Sequence, residues 1–260
     1  MAEEHLNQEQ ENQLIKLAEK IILLAKEEGV LLRALGAVAF RIHCPRFKYL
    51  EYSAQRFLSD LYFATYLSQL KGVEIVLSKL GFVQDERMKV LHGTQRRIFD
   101  HSETRWHADV FVDKLRFCHD IDFHGRLEAD FPTIPLAELL LEKLQIVKFE
   151  SKDAIDSVVL VREHEIGDND NETINAKIIA QTCARDWGFW KTVQLNLDKI
   201  ISYTERNEIL TPIDKKDVIE KIDFLKKRIN EEPKTLNWKL RAKVGEKKQW
   251  YRDVEDVERE

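Results

Sequence analysis

The sequence predicts an α+β fold in which a mixed β-sheet with flanking helices is followed by a helical subdomain. Apolar residues recur at helical spacing near the N-terminus and again through most of the chain after Pro135. Short strand-like runs, bounded by glycine or other turn residues, fill the stretch between these helices. Glycine and proline number only 9 and 5, which argues against an all-β protein with many tight turns.

The first half of the chain alternates between helical and strand-like patterns. Apolar spacing predicts a helix over 13–28, after an acid-rich start that frays. A short strand over 30–35 leads through Gly36 into a short helix over 37–42. The next stretch, 43–58, has no clear period and predicts a long loop with one helical turn. Strands are also expected over 60–65, 82–84, 87–91, 96–100, 106–112 and 115–123, with a helix over 67–80 and a hairpin turn over 101–104.

The pattern after Pro135 is helical. Helices are expected over 136–149, 151–165, 173–183, 187–203 and 214–230. Ser151 is interpreted as the N-cap of the second of these helices, and Thr211 begins a start signal for the last. We therefore expect an α/β domain with an N-terminal helix over 1–132, and a helical subdomain with a charged C-terminal tail over 133–260.

Composition limits the classes of protein that this chain can belong to. Its 260 residues include 41 Lys and Arg against 46 Asp and Glu, and the 43% hydrophobic content is enough for a core. No apolar run reaches the roughly 18 residues that a membrane span needs. The apolar cluster at 21–25 follows an acidic start, which is not a secretory signal. The three cysteines are far apart and odd in number, which predicts a reducing, cytoplasmic location without a disulfide framework or a cysteine zinc site.

One glycine and two aspartates carry the functional signal. Gly36 ends a predicted strand, Asp60 begins the strand after the long loop, and Asp109 lies in the middle of a later strand. This order resembles the nucleotidyltransferase superfamily, the group that includes DNA polymerase beta. Within it the chain looks closest to AbiE-type toxin nucleotidyltransferases and related uncharacterised bacterial proteins, over roughly residues 30–165. The resemblance implies a nucleotidyltransferase-like fold for the mixed sheet and a toxin–antitoxin-like context.

The family's chemistry gives these residues their implied roles. In the family a glycine turn contacts the nucleotide phosphates, and an Asp-x-Asp strand with a third carboxylate binds two Mg²⁺ ions. Residues i and i+2 of a strand share a face, so an Asp-x-Asp pair points at one spot. Gly36 matches the turn glycine, Asp60 the first carboxylate and Asp109 the third. The stretch over 136–143 and the pair at 152–153 resemble the family's helical region, where a Leu-Leu-x-x-Lys-Leu run is followed by a basic-Asp pair.

The chain departs from the family's pattern at the second carboxylate, where Tyr62 stands. A phenol with an ordinary pKa of about 10 is a poor Mg²⁺ ligand at neutral pH. The turn also reads Gly36-Ala37 instead of Gly-Gly or Gly-Ser, and the gap to Asp60 is long. Two hypotheses follow. Either the protein transfers a nucleoside monophosphate from an NTP to a hydroxyl acceptor, with Asp60 and Asp109 as metal-binding catalytic residues, or it is a catalytically degenerate protein that binds a nucleotide or a protein partner.

The resemblance, together with nearby basic residues, predicts a set of nucleotide contacts. They are Gly36, Ala37, Arg41, Arg56, Tyr62 and Lys143. Arginine suits phosphate because its guanidinium presents a fork of donors, although Arg41 and Arg56 can equally be ordinary surface charges. Lys143 on a helix is more often a solvated charge than a phosphate ligand.

Other polar patterns are given their simpler interpretation. Asp120, Asp122 and His124 alternate on one strand face and could bind a metal, but a solvated edge strand is the favoured interpretation. His107 shares a face with Asp109, and we favour a structural hydrogen bond for it. The basic and aromatic tail over 234–251 could bind RNA. We favour tryptophans packed on the body or on a partner instead.

Overall fold

The computed structural model describes residues 2–254 apart from Gln55, Ser59 and Arg105. It confirms a mixed α+β fold with a mixed sheet. The chain divides into two compact units. Unit 1 comprises Met1–Leu115 with Asp122–Pro135, and unit 2 comprises Arg116–Ile121 with Leu136–Glu260.

Unit 1 is built around a mixed sheet with helices. Its elements are α1 Ala2–Glu27, β1 Leu32–Leu35, α2 Gly36–His43, α3 Tyr49–Ser53, β2 Leu61–Thr65, α4 Leu70–Lys79, β3 Phe82–Gln84, α5 Glu86–His92, β4 Arg96–His101 and β5 His107–Val112. The strand order is β1-β2-β5-β4-β3. Strands β2 and β5 are parallel, and the other neighbours in the sheet are antiparallel. The expected strand, turn and helix around Gly36 and the single helical turn in the long loop are confirmed.

Helix α1 supplies much of the apolar surface that unit 1 buries. Its periodic apolar positions are fully or almost fully buried: Leu14, Ala18, Ile21, Ile22 and Ala25. The helix packs against α2, α4 and β1. A helix with one apolar face gains most of its stability from such packing, which is why the apolar spacing predicted it correctly.

The expected strand over 87–91 is wrong, because this segment is helix α5. Asp85 caps that helix, since its carboxylate accepts a hydrogen bond from the Met88 N–H at 3.0 Å. Val90 and Leu91, whose apolar character predicted a strand, are exposed. A run this short does not distinguish strand from helix, and the cap decides it.

The expected strand over 115–123 is instead a hairpin of β6 Lys114–Arg116 and β7 Asp120–Asp122. The chain reverses between these strands, where the Phe117 N–H donates to the His119 carbonyl at 3.3 Å. The alternating pattern was correct for β7, since only its middle residue, Ile121, is buried.

Unit 2 is mostly helical. Its elements after the hairpin are α6 Leu136–Leu144, α7 Ser151–Glu163, β8 Glu165–Gly167, β9 Thr173–Asn175, α8 Ala176–Arg185, α9 Trp187–Arg206, α10 Pro212–Glu231 and α11 Leu236–Val244. The start signal at Thr211 is confirmed, because its hydroxyl and the Asp214 carboxylate form a capping box. The small parallel sheet of β8 and β9 was not predicted.

Two helix ends in unit 2 differ from expectation. The helix expected over 136–149 ends at Leu144, because the Asn196 amide donates to the carbonyls of Leu144 and Ile146 and so replaces helical hydrogen bonds. The N-cap of α7 is Glu150 and not Ser151, and the Glu150 N–H donates to Asp153 at 3.1 Å.

Among the described residues, no helix combines the length and the apolar character that crossing a bilayer requires.

Candidate functional site

The structure brings Tyr62 and Asp109 side by side. Strands β2 and β5 are parallel, and Tyr62 is the register partner of Asp109. Neighbours in register project from the same face of a sheet. Asp60 directly precedes β2 and shares the face of Tyr62 by alternation. The predicted first, second and third acid positions therefore lie on one face, at the end of the sheet where β2 and β5 begin.

Gly36 is the first residue of α2 and has φ +70°. A Cβ atom at this position would lie 2.6 Å from Cδ2 of Tyr62, so the tyrosine ring lies directly against the glycine. The glycine is therefore required for two reasons, a left-handed backbone and a close approach. Ala37 follows it in the first turn of α2. The space next to Gly36, which a side chain at this position would fill, is occupied by the ring of Tyr62.

Asp60 interacts with the residue that replaces the second acid. The Tyr62 hydroxyl donates to Oδ2 of Asp60 at 3.4 Å, a long hydrogen bond. The ring of Tyr62 also packs edge-on against Phe111, with 6.1 Å between centroids. The phenol is thus held between a carboxylate and an aromatic side chain.

Asp109 forms an ion pair with Arg96 that sequence reasoning missed. The Arg96 Nη2 donates to Oδ2 of Asp109, whose side chain is only 1% exposed. Arg96 lies on β4 and is the register partner of Phe111 on the antiparallel strand β5. Phe111 follows Asp109 by two residues, so Arg96 and Asp109 project from the same face of the sheet. Its guanidinium lies over the Phe111 ring, 5.4 Å from the centroid. The predicted hairpin turn over 101–104 implies that β4 pairs with β5, but only the register of that pairing, which the sequence does not show, places Arg96 beside Asp109.

Arg41 lies in a buried cluster that joins three helices. Its guanidinium forms ion pairs with Glu11 of α1 and Glu51 of α3, and it lies over the ring of Tyr52. All three charged side chains are 1% exposed or less. Burial, and the hydrogen bond with Glu11, raise the pKa of Tyr52 to about 12. These contacts explain why an arginine is buried here, and the predicted phosphate contact of Arg41 stays a prediction.

Arg56 lies in the segment between α3 and β2. Its backbone carbonyl accepts a hydrogen bond from Arg41, and its own Nη1 donates to the Phe57 carbonyl at 3.0 Å. The long loop is thus anchored to the Arg41 cluster. Its predicted phosphate contact also stays a prediction.

Lys143 lies in unit 2, on α6, and is almost fully buried. Its Nζ is 2.9 Å from Oδ2 of Asp156 and 3.8 Å from Oδ1 of Asp153. Burial raises the pKa of Asp153, although the Lys143 charge opposes that rise. Lys143 of the matched run and Asp153 of the basic-Asp pair therefore form part of a buried ion-pair cluster within this unit, whereas Lys152 is exposed and pairs with Glu150.

A cavity of about 570 Å³ lies at the opposite end of β2 and β5, where these strands finish. Its wall includes Tyr66, Asp113 and His124, and the Tyr66 and His124 rings are stacked at 6.0 Å. The Asp122 carboxylate bonds His124 Nδ1 at 2.6 Å and Lys114 at 2.9 Å. Burial raises the pKa of Asp122, but hydrogen bonds from His124 and Lys114 outweigh it and hold that pKa at about 2.

The residues of the alternative metal site, Asp120, Asp122 and His124, each contact another polar or charged side chain. Asp120 forms an ion pair with Arg252 in unit 2, whereas Asp122 and His124 belong to unit 1. Within the part of the chain that the structure describes, no three His, Cys, Asp or Glu side chains form a group able to hold a metal ion.

Two simpler interpretations agree with the described contacts. His107 pairs through Nδ1 with Asp100, its register partner on β4. In unit 2, the Trp250 indole donates to the Thr192 hydroxyl at 3.1 Å, and Trp238 packs on Trp190 with centroids 5.3 Å apart. The C-terminal tryptophans thus pack on α9.

Comparison of the chain with protein-family models, with curated proteins and with solved structures gave no match in any of the three. The resemblance to nucleotidyltransferases therefore depends on the residues and geometry described above, and family membership stays a prediction.

Proposed function

We propose that this chain is a nucleotidyltransferase-like protein that binds a nucleoside triphosphate without transferring the nucleotide. The proposed binding site is the sheet face that carries Asp60, Tyr62 and Asp109, next to Gly36. The observation that carries the proposal is the ion pair between Arg96 and Asp109. In this pair the positively charged Arg96 binds Asp109, which stands at the third acid position. The neighbouring second acid position is occupied by Tyr62. The first position, Asp60, accepts the hydrogen bond of that tyrosine.

The Mg²⁺ pair that the resemblance implies does not fit these donors. Two Mg²⁺ ions in such a site need several carboxylate oxygens, and each ion retains several waters. A phenol stands at the position of one expected carboxylate, Tyr62, and Asp109 is 1% exposed, which leaves no room for a hydrated ion. No catalytic step through metal is therefore derived for this site.

One observation favours the second candidate function, active nucleotidyl transfer. Asp60 and Asp109 lie on one face at the same end of the sheet. Asp60 precedes Tyr62 by two residues, and Asp109 is the register partner of Tyr62 on the neighbouring strand. In that function an acceptor hydroxyl would attack the α-phosphorus of an NTP, and pyrophosphate would leave as the new bond forms.

Calorimetry and a transfer assay distinguish the two functions. We expect wild-type protein to bind an NTP and to release no pyrophosphate above background, with each of the four NTPs assayed separately. Pyrophosphate release that Asp60→Asn and Asp109→Asn both abolish would establish the enzyme instead. Absence of binding to every NTP would refute nucleotide binding and leave the partner-binding alternative.

Restoring the missing acid is a second test of the proposal. We expect Tyr62→Asp alone to leave pyrophosphate release at background, because Arg96 still neutralises Asp109. Release that appears in this single variant would mean that the tyrosine alone prevents turnover. The cytoplasmic location and the toxin–antitoxin-like context stay predictions.

A further inference from the structure

We infer that the Arg96 guanidinium takes the place of the divalent cation at Asp109, so that this face accepts a metal-free polyphosphate instead of a metal–nucleotide complex. The choice of ligand rests on the proposed function. The role of Arg96 rests on its own contacts and is tested separately below.

The position of Arg96 is fixed by the sheet. Register pairs Arg96 of β4 with Phe111 of β5, and Asp109 lies two residues before Phe111 on the same face. The guanidinium contacts both of these side chains, one through an ion pair and the other through its face. Phe111 in turn packs against Tyr62. The arginine is therefore held in this place by two independent contacts.

A fixed guanidinium excludes a metal ion from the same carboxylate. Arginine stays protonated at all physiological pH values, so it does not release Asp109 by losing its charge. A divalent ion bound to that carboxylate would lie within a few ångströms of the guanidinium. The two positive charges would repel each other strongly there, because a partly buried site is poorly screened by water. The near-complete burial of Asp109 also prevents the ion from keeping its waters.

The same guanidinium retains the capacity to bind phosphate. It carries five N–H donors, and Asp109 engages one of its nitrogens, Nη2. The Arg96 side chain is 23% exposed, so part of it faces solvent while Asp109 does not. A charge-assisted hydrogen bond from arginine to a phosphate oxygen needs no metal. The geometry thus supplies one fixed positive charge where the related enzymes supply a metal ion.

A titration with Mn²⁺ in the absence of nucleotide, monitored by electron paramagnetic resonance, tests the role of Arg96. We expect wild-type protein and Tyr62→Asp to show no site that depends on Asp109. We expect Tyr62→Asp combined with Arg96→Gln to bind Mn²⁺ about tenfold or more tightly than Tyr62→Asp alone, and Asp109→Asn to abolish the gain.

Arg97→Gln in the Tyr62→Asp background is the matched control. Arg97 is the adjacent residue, projects from the other face and pairs with Glu74 at 3.5 Å. Its removal changes the net charge equally, so Mn²⁺ affinity should not change. Equal gains from Arg96→Gln and Arg97→Gln, or no gain from either, would overturn the inference. If the Arg96→Gln variants do not fold, the wild-type titration decides, because Mn²⁺ binding that Asp109→Asn removes contradicts it.

Calorimetry with ATP tests the ligand. We expect the wild-type affinity for ATP to be similar in Mg²⁺ and in EDTA, and Arg96→Gln to weaken it in EDTA. Loss of wild-type ATP binding in EDTA alone would overturn the metal-free ligand. Absence of ATP binding in both buffers would instead refute the proposed function, while the Mn²⁺ result still decides the role of Arg96.

Discussion

At the scale of single residues, the candidate site depends on how Gly36 and Tyr62 fit together. The glycine has a left-handed backbone, and the tyrosine ring occupies the space where a side chain at position 36 would lie. Tyr62 fills the space over the turn, and it stands at the position where the resemblance to nucleotidyltransferases predicts a metal-binding acid. A substitution at either residue should therefore affect the packing of the other.

Gly36→Ala should lower the free energy of unfolding by about 2–5 kcal/mol. Roughly 1–2 kcal/mol comes from the left-handed backbone and about 1–3 kcal/mol from the clash with the Tyr62 ring. Urea unfolding measures the change. Gly29→Ala is the matched control, because Gly29 has the same φ of +70° with nothing within 4 Å of its added Cβ. Equal losses in the two variants would show that the ring does not restrict position 36.

At the scale of elements, a buried ion-pair cluster joins helices that are distant in sequence. Arg41 of α2 pairs with Glu11 of α1 and Glu51 of α3, and it donates to the carbonyl of Arg56. The cluster therefore holds the long loop near the start of β2, where Asp60 lies. Removing one member of a buried cluster leaves the opposite charges without a partner.

Arg41→Ala should destabilise unit 1 by about 3–5 kcal/mol, because the carboxylates of Glu11 and Glu51 then stay buried and unneutralised. Denaturant unfolding measures the loss. Lys79→Ala is the control, since it removes an exposed ion pair with Glu28 that contributes only about 0–1 kcal/mol. A loss at Arg41 no larger than the loss at Lys79 would contradict a structural role for the cluster.

Sequence patterns predicted the elements whose apolar spacing and capping residues agree. They did not predict elements in which a cap opposes the apolar composition, or whose end depends on a residue distant in sequence. The N-terminal helix and the helix beginning near Thr211 were predicted because apolar spacing and capping residues are both local. Helix α5 was not, since its apolar residues are exposed and the Asp85 cap outweighs their strand-like composition. The end of α6 depends on Asn196, which is far away in sequence.

At the scale of the whole molecule, the C-terminal segment is integrated into unit 2 by a buried polar network. The Thr192 hydroxyl bonds His119 at 2.8 Å and Trp250 at 3.1 Å. His119 also stacks on Phe189, with 4.9 Å between centroids. Burial lowers the pKa of His119 to about 4, with Arg252 also lowering it and Asp186 and Asp120 opposing. The histidine is therefore neutral in the folded protein at physiological pH.

His119 should make the stability of unit 2 depend on pH. The unfolded chain binds the proton with a pKa near 6.5 and the folded chain with a pKa of about 4. Stability from His119 is thus complete above pH 6.5 and decreases as the pH falls towards 4, by up to about 3 kcal/mol. Urea unfolding between pH 4 and 7, followed by tryptophan fluorescence, measures it. His119→Gln should reduce the decrease, and an unchanged pH profile in that variant would contradict the assignment.

The amino-acid sequence alone indicates the alternation of elements and the order of Gly36, Asp60, Tyr62 and Asp109, because periodicity, capping and turn residues act over a few positions. It also shows a tyrosine at the position where the resemblance to nucleotidyltransferases predicts an acid. The contacts of these residues are visible only in the folded chain. The pairing of β4 with β5 places Arg96 on Asp109, and the β1–α2 turn places Gly36 against the Tyr62 ring. Contacts of this kind depend on the register between paired strands and on how a turn packs against a neighbouring strand. A shift of one residue in that register would turn every side chain of the strand to the opposite face.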